Sequence, residues 1–128
     1  MKPWTSDELN TIGSAEELQI AALRAEGTLR KPVIIWGVRL GGDLYVRSVN
    51  GRTSAWFRGV QVQHAGRIWA GGMEKDVSFV EEAGPGINEK IDAAYAAKYR
   101  RNPSSVEHIN SPTARAATIK LMPRPAGA

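Results

Sequence analysis

Cysteine is absent from this chain of 128 residues. Disulfide frameworks, thiolate metal sites, iron–sulfur clusters and cysteine nucleophiles are therefore excluded. Histidine is almost as scarce, because the chain has only His64 and His108. They are far apart in the sequence, and neither has a second ligand at the spacing of a metal site. We therefore expect no metal.

Long apolar runs are also missing. The N-terminus, MKPWTSDELN, has polar and acidic residues where a signal peptide would have its apolar segment. No stretch approaches the roughly 18 apolar residues of a membrane span. We expect a cytoplasmic protein with no membrane contact. The length is that of one domain, so residues 1–128 are predicted to form a single domain, with a short disordered tail from about residue 123.

The common catalytic and nucleotide-binding motifs are not found. GVRLGG, residues 37–42, has the glycine spacing of a phosphate-binding loop, but Asp43 and Leu44 stand where that loop needs Lys and Ser or Thr. There is no GxGxxG. Ser48 or Ser54 with His64 lacks both a nucleophile elbow and an orienting acid. The sequence therefore leaves the catalytic residues unknown.

Acidic residues are scarce in the middle of the chain. Between residues 27 and 73, seven Lys and Arg residues face a single acid, Asp43. The stretch YVRSVNGRTSAWFRG, residues 45–59, holds three arginines, three aromatic residues and no acid. Such a local excess of positive charge favours an anionic partner.

Hydrophobic patterning predicts a mixed α and β domain. Three strands follow a short N-terminal helix capped by Thr5 or Ser6, and the second of them, PVIIWGVRL, is the clearest. A helix follows Ser54, and a pair of strands comes next. The apolar positions then predict an amphipathic helix over 87–101 and a last strand in ATIKLMP. Hairpins dominate, so the six strands should form a mostly antiparallel, barrel-like sheet with flanking helices.

The basic stretch has the chemistry of an anion site. A strand ends at Arg47 and Ser48, and a glycine turn then brings Arg52 and Ser54 to a helix start. Free amides, hydroxyls and guanidiniums at such a place bind phosphate. The alternative is structural: Arg47 pairs with a carboxylate such as Asp76 or Glu81, and Ser54 only caps the helix.

Five stretches resemble an uncharacterised bacterial family, domain of unknown function 2255, over nearly the whole chain. They are LRKPVIIWGVR, DLYVRSVNGRTSAWFRGVQ, RIWAGGMEKDVSF, IDAAYAAKYRR and ARAATIKLMPR. More distantly, the order of elements is similar to the FMN-binding split barrels, which include pyridoxamine 5'-phosphate oxidases and deazaflavin-dependent nitroreductases. This resemblance implies a six-stranded split β-barrel, a homodimer, and FMN or deazaflavin bound at the subunit interface. It makes an oxidoreductase possible, with the cofactor carrying the hydride.

The resemblance also implies cofactor-binding residues. They are Arg30 and Lys31 at the entry to a strand, Arg47 and Ser48 at the end of the next, and Arg52, Ser54 and Trp56 around the helix start. The Arg-Lys pair of the oxidases is missing, because Ala55 and Trp56 follow Ser54; the tryptophan is closer to the deazaflavin branch. Trp36 or Trp56 stacks on the ring or belongs to the core.

Two other functions remain open. The first is a cofactor-free interaction module, in which the basic pocket pairs with acids across a dimer. The second is a binder of single-stranded nucleic acid, in which Trp56, Phe57 and Trp69 stack on bases. The spacing of Trp56 and Phe57 predicts burial in a helix face, which counts against the second.

Overall fold

The computed structural model describes residues 3–124, and residues 125–128 of the predicted tail lie outside that range. Within residues 3–124 the chain forms five α-helices, one short 3-10 helix (Gly51–Thr53) and seven strands. The helices are α1 (Ser6–Ser14), α2 (Ala55–Val62), α3 (Pro85–Lys98), α4 (Pro103–Ile109) and α5 (Pro112–Arg115). The strands are β1 (Leu18–Ala22), β2 (Val33–Ile35), β3 (Gly37–Leu40), β4 (Asp43–Arg47), β5 (Ala65–Ala70), β6 (Met73–Glu81) and β7 (Thr118–Pro123).

All seven strands belong to one sheet, in the order β2-β1-β5-β6-β7-β4-β3, and every neighbouring pair is antiparallel. The two outermost strands, β2 and β3, follow each other in the chain and are separated only by Trp36. The sheet is therefore a nearly closed barrel with a split beside Trp36. The predicted α+β class and antiparallel barrel are confirmed.

The number of strands differs from the prediction of six. PVIIWGVRL was expected to be one strand, but β2 pairs with β1 while β3 pairs with β4, at the opposite end of the sheet. One straight strand cannot pair with both, so the chain bends at Trp36. The carbonyl of Trp36 accepts a hydrogen bond of 2.9 Å from the Tyr95 hydroxyl in α3.

The barrel has an inner core and an outer apolar layer. Leu44 and Val46 of β4 point into the barrel, where they pack with residues from β1, β5, β6, β7 and α2. Tyr45 points to the other side and packs with Tyr95 of α3 and with Tyr99, the residue that follows α3. The alternation expected along β4 is therefore seen, because successive side chains of a strand face opposite sides of the sheet.

The backbones of β1 and β5 approach closely where Gly66 pairs with Ala22. A Cβ added at Gly66 would lie 2.1 Å from the carbonyl oxygen of Ala21 and 2.9 Å from the Phe79 ring. Only glycine fits between these groups, so its position in β5 is fixed by the approach of two backbones.

The helices outside the barrel differ in detail from the sequence expectation. The helix predicted over 87–101 runs from Pro85 to Lys98 and begins with proline, which lacks the N–H that a first turn leaves unpaired. The segment after it, expected to be a short turn, forms α4 and α5. Within residues 3–124, no helix combines the length and apolar character needed to cross a bilayer.

Candidate functional site

The link between β4 and α2 carries the basic stretch. Asn-Gly turns the chain there, with Gly51 at a φ of +82°, and α2 then begins at Ala55. The hydroxyls of Ser48 and Ser54 lie 2.7 Å apart, and Ser54 Oγ also lies 3.3 Å from the Gly51 carbonyl. Ser54 is the N-cap residue, but its side chain makes no capping hydrogen bond. Its hydroxyl is committed to Ser48 and Gly51, so the first amides of α2 lack a side-chain partner.

Arg47 is buried at the end of β4, with no exposed side-chain surface. Its guanidinium donates to Asp92 Oδ1 at 2.6 Å, Asn110 Oδ1 at 2.9 Å and Asn88 Oδ1 at 2.8 Å. Its Nε donates to Thr118 Oγ1 at 2.9 Å. These partners come from α3, the link after α4, and β7. The arginine therefore joins four parts of the fold, and a buried guanidinium is tolerated because acceptors surround it.

The carboxylate pairing that the sequence left open is present, with a different acid. Asp92 pairs with Arg47, while Glu81 pairs with Arg52 at 2.6 Å and Asp76 with Arg67 at 2.9 Å. Asp92 forms a second ion pair, in which its Oδ2 lies 3.1 Å from Arg115 Nη2. Asp92 lies on α3, whereas the two predicted partners of Arg47, Asp76 and Glu81, lie on β6.

Arg30 is wedged against α2. A Cβ added at Gly59 would lie 2.9 Å from Arg30 Nε, so glycine at that position makes room for the arginine. Arg30 Nε is buried and has no hydrogen-bond partner among the described residues. Gly59 is three residues beyond Trp56, on the same side of α2. Lys31 is exposed. Arg30 therefore keeps one unsatisfied donor, its buried Nε, one helical turn from Trp56.

A cavity of about 420 Å³ lies at the split of the barrel. Its walls come from β2 and the bend at Trp36, the end of β4, the start of α2, and α4. They are lined by Val33, Ile34, Ile35, Trp36, Arg47, Ser48, Val49, Asn50, Ser54, Trp56, Ser105, His108 and Ile109. The lining is mostly apolar, with hydroxyls and one imidazole in a few places, which is the usual composition of a small-molecule site.

Three side chains at the C-terminal end of α3, from Tyr95, Lys98 and the cap residue Tyr99, fix the bend that carries Trp36. The Trp36 indole stacks on Tyr99, with centroids 3.8 Å apart and planes within 1°. Tyr95 donates to the Trp36 carbonyl, and Lys98 Nζ donates to the Gly37 carbonyl at 2.6 Å. Burial raises the pKa of both tyrosines far above the ordinary value, so they remain neutral donors. One wall of the cavity is thus held from outside the barrel.

The structure brings together four of the seven residues predicted from sequence. Arg47, Ser48, Ser54 and Trp56 line the cavity, whereas Arg30, Lys31 and Arg52 do not. Arg52 instead lines a separate cavity beside Glu81.

Sequence reasoning missed Ser105 and His108. Both lie on α4, which was expected to be a turn, and their spacing of three residues on a helix was the available signal.

The family model for "Uncharacterized protein conserved in bacteria (DUF2255)" matches residues 8–121. The chain belongs to this family. The family was expected from the five resembling stretches, and the match confirms it. Among curated proteins, none is significantly similar to the chain.

Solved structures share the fold at low sequence identity. A conserved hypothetical protein, Rv2991 from Mycobacterium tuberculosis, is 11% identical, with a TM-score of 0.66 over 95% of this chain and 82% of that one. An F420-H2 dependent reductase, FDR-A, is 14% identical, with a TM-score of 0.60 over 84% of this chain and 93% of that one. HutZ, the heme storage protein from Vibrio cholerae, is 12% identical, with a TM-score of 0.58 over 88% of this chain and 84% of that one. These likenesses establish a common architecture with F420-dependent reductases.

Proposed function

We propose that the cavity at the barrel split binds a deazaflavin or FMN cofactor and that the protein is an oxidoreductase. The observation that carries this proposal is the cavity itself, in which Trp36 and Trp56 stand together with the Ser48 and Ser54 hydroxyl pair. The fold shared with proteins named as F420-dependent reductases supports the same class of cofactor.

The residues present fit such a cofactor. A flavin or deazaflavin has a flat tricyclic ring and a phosphate, so its site needs an apolar slot and a group of donors. Val33, Ile35 and the two tryptophans supply apolar surface. The uncapped amides of α2 supply donors for an anion, and the helix dipole favours negative charge there. The hydroxyls of Ser48 and Ser54 line the same cavity and would exchange their bonds to each other and to Gly51 for bonds to the anion. The volume is within the range of about 300 to 1,000 Å³ that small-molecule pockets occupy.

Arg30 and Lys31 remain candidates for the cofactor's charged part. Arg30 Nε has no partner among residues 3–124, and it lies against α2 one turn beyond Trp56. A guanidinium binds phosphate through paired hydrogen bonds. Arg47 has a different role, because Asp92, Asn88, Asn110 and Thr118 already engage its donors. Arg47 holds the end of β4 in place and thereby positions Ser48.

The chain's own residues bind, orient and exclude water. The cofactor, when bound, supplies the hydride, and the protein sets its position and surroundings. Trp36 is fixed by stacking on Tyr99, so the wall it forms is rigid before a ligand arrives. A wall that is already in place lowers the entropic cost of binding.

We also propose a homodimer that covers the mouth of the cavity. Ile34 is 62% exposed and Val49 is 46% exposed, and both line the cavity. Large apolar side chains that stand together at a surface are typical of an interaction site. Light scattering tests this directly, since a monomer at micromolar concentration would contradict it.

Titration with three ligands tests the cofactor proposal. Purified protein is titrated with oxidised F420, FMN and haemin while tryptophan fluorescence is recorded, with Trp36→Phe, Trp56→Phe and Trp69→Phe compared. F420 or FMN should bind at micromolar Kd and quench mainly the emission of Trp36 and Trp56, which line the cavity. If neither binds, the oxidoreductase proposal fails. Haemin alone, with a Soret shift lost in His108→Ala, would instead favour a haem protein.

The same preparation separates the remaining functions. Failure of all three ligands to bind a stable dimer would favour the cofactor-free module. Salt-dependent binding of single-stranded DNA would favour the nucleic-acid function. Phe57 counts against it, because its ring is completely buried and is not available to stack on a base.

A further inference from the structure

A further cavity, of about 470 Å³, lies at the C-terminal end of α3. It is formed by the last turn of that helix, the residues after it and the link that follows α1. None of its lining residues belongs to the cavity at the barrel split. The polar ones are Ser14, Glu16, Lys98, Arg100, Arg101 and Asn102.

The charge around this cavity is mainly positive. Lys98, Arg100 and Arg101 are cationic groups, and Glu16 is the carboxylate that faces them. Arg100 and Arg101 are exposed, and across residues 3–124 neither forms an ion pair or a side-chain hydrogen bond. Two guanidiniums with no internal partner are free to bind an anion, and phosphate matches their planar, forked geometry.

The amine of Lys98 lies in a wall of the same cavity. It donates to the Gly37 carbonyl at 2.6 Å and stands 5.0 Å from the centre of the Tyr99 ring. Burial lowers its pKa to about 8, although the charge of Glu16 acts in the opposite direction. At pH 7.5, roughly a quarter of the amine is then neutral, against about one part in a thousand for an ordinary lysine. A neutral amine is a nucleophile.

We propose that Lys98 is a site of covalent acylation by small acyl phosphates, whose phosphate group is bound by Arg100 and Arg101. The lone pair of the neutral Nζ attacks the acyl carbon, and the bond between that carbon and the phosphate oxygen breaks. Inorganic phosphate leaves with the electron pair, and the proton lost by nitrogen passes to phosphate or water. The products are an Nε-acyl lysine and phosphate, so no oxidant or reductant is needed.

Acylation at this position has a structural consequence. The amide that forms carries no charge and has a single N–H. The contact with the Gly37 carbonyl is weakened, and the charge above the Tyr99 ring is lost. Gly37 follows Trp36, whose indole stacks on that same ring and lines the cavity at the barrel split. Modification of Lys98 therefore changes the contacts that hold the bend at Trp36, which forms a wall of the cavity at the barrel split.

Peptide mapping by mass spectrometry tests the proposal on the full chain. The protein is treated with acetyl phosphate at pH 7.5, and the rate of acetylation is measured at Lys98 and at Lys90, an exposed lysine of the same helix. Lys98 should react at least about tenfold faster, because its amine is more often neutral. Inorganic phosphate should compete at Lys98 and have little effect at Lys90.

The double variant R100Q/R101Q isolates the role of the arginines. Both side chains are exposed, so the fold should be retained, and Lys90 serves as the internal reference. We expect the acetyl phosphate rate at Lys98 to fall severalfold, while its rate with the uncharged reagent N-acetylimidazole stays the same. Equal rates at Lys98 and Lys90, or an unchanged Lys98 rate in the double variant, would overturn the proposal. The test needs no bound cofactor, so its result is independent of the oxidoreductase function.

Discussion

The guanidinium of Arg47 donates to the carboxylate of Asp92 at 2.6 Å, and the Arg47 side chain has no contact with solvent. The two residues lie 45 positions apart and join the end of β4 to α3. Ser48 follows Arg47 directly at the end of β4. This ion pair therefore holds the end of β4, and with it the Ser48 side of the hydroxyl pair, in place.

Loss of the Asp92 carboxylate should destabilise the fold strongly. In Asp92→Ala, the buried charge of Arg47 loses its counter-ion, and removing one partner of a buried pair costs about 3 kcal/mol. Urea unfolding followed by circular dichroism measures the change. The matched control is Glu81→Ala, which breaks the exposed pair with Arg52 and should cost less than about 1 kcal/mol. Equal effects of the two variants would contradict the structural role of the Arg47 and Asp92 pair.

A methyl group at Gly66 should not be accommodated. Its Cβ would lie 2.1 Å from the backbone oxygen of Ala21, and a backbone atom cannot rotate away as a flexible side chain can. We expect Gly66→Ala to lower the free energy of unfolding by about 3 kcal/mol. Gly86→Ala in the first turn of α3 is the control, because nothing lies within 4 Å of its added Cβ. Gly86→Ala should change the free energy of unfolding by less than about 1 kcal/mol. Similar melting temperatures for Gly66→Ala and Gly86→Ala would contradict the close approach of the Ala21 backbone to Gly66.

Lys98 should give the stability a measurable dependence on pH. Its pKa in the folded state is about 8, below the ordinary 10.5, so between these values the unfolded chain binds more protons than the folded one. The free energy of unfolding therefore rises with pH over that window. The tyrosines act in the opposite direction above pH 10, because burial raises the pKa of Tyr95 and Tyr99.

The variant Lys98→Met isolates this effect. Urea midpoints at pH 7.5 and pH 9.5 are compared in both proteins, which contain the same tyrosines, so any tyrosine contribution cancels in the comparison. The natural protein should gain stability between the two values relative to Lys98→Met, which has no titrating group at this position. Identical differences in the two proteins would show that the amine is not desolvated.

The hydroxyl pair at the start of α2 should determine affinity for the cofactor. The double variant S48A/S54A removes two hydroxyls that line the cavity, and a hydrogen bond to a charged group is worth about 1.5 to 3 kcal/mol. We expect the Kd for F420 or FMN to rise at least about tenfold. Arg52→Ala is the comparison, because Arg52 lies outside this cavity and should leave the Kd within about twofold. A larger effect of Arg52→Ala would restore the role that the sequence alone suggested.

Local sequence signals account for most of the secondary structure. Thr5, one of the two predicted caps, caps α1 and forms reciprocal hydrogen bonds with Glu8. The alternation along β4 correctly divides Leu44 and Val46 from Tyr45 and Arg47. Such patterns are readable because they depend on residues a few positions apart. The bend at Trp36 is not local in this sense, since it follows from the two different strands that β2 and β3 pair with.

The candidate site was only partly predictable for the same reason. Ser48, Ser54 and Trp56 lie within one short stretch, and the sequence placed them together correctly. The burial of Arg47, and its pairing with Asp92 in place of Asp76 or Glu81, depend on how α3 packs on the barrel. His108 joins the cavity because α4 folds over the split, which no short pattern specifies.

The sequence by itself determined the absence of cysteine chemistry, the order of most strands and helices, and the concentration of arginine before α2. The tertiary structure decided what those arginines do. The guanidinium of Arg47 donates to acceptors within the protein. Arg52 pairs with Glu81 at the surface. Arg30 Nε lies against Gly59 without a hydrogen-bond partner among the described residues. The partner of a charged side chain is set by which distant segment packs beside it, and that depends on the closure of the whole barrel.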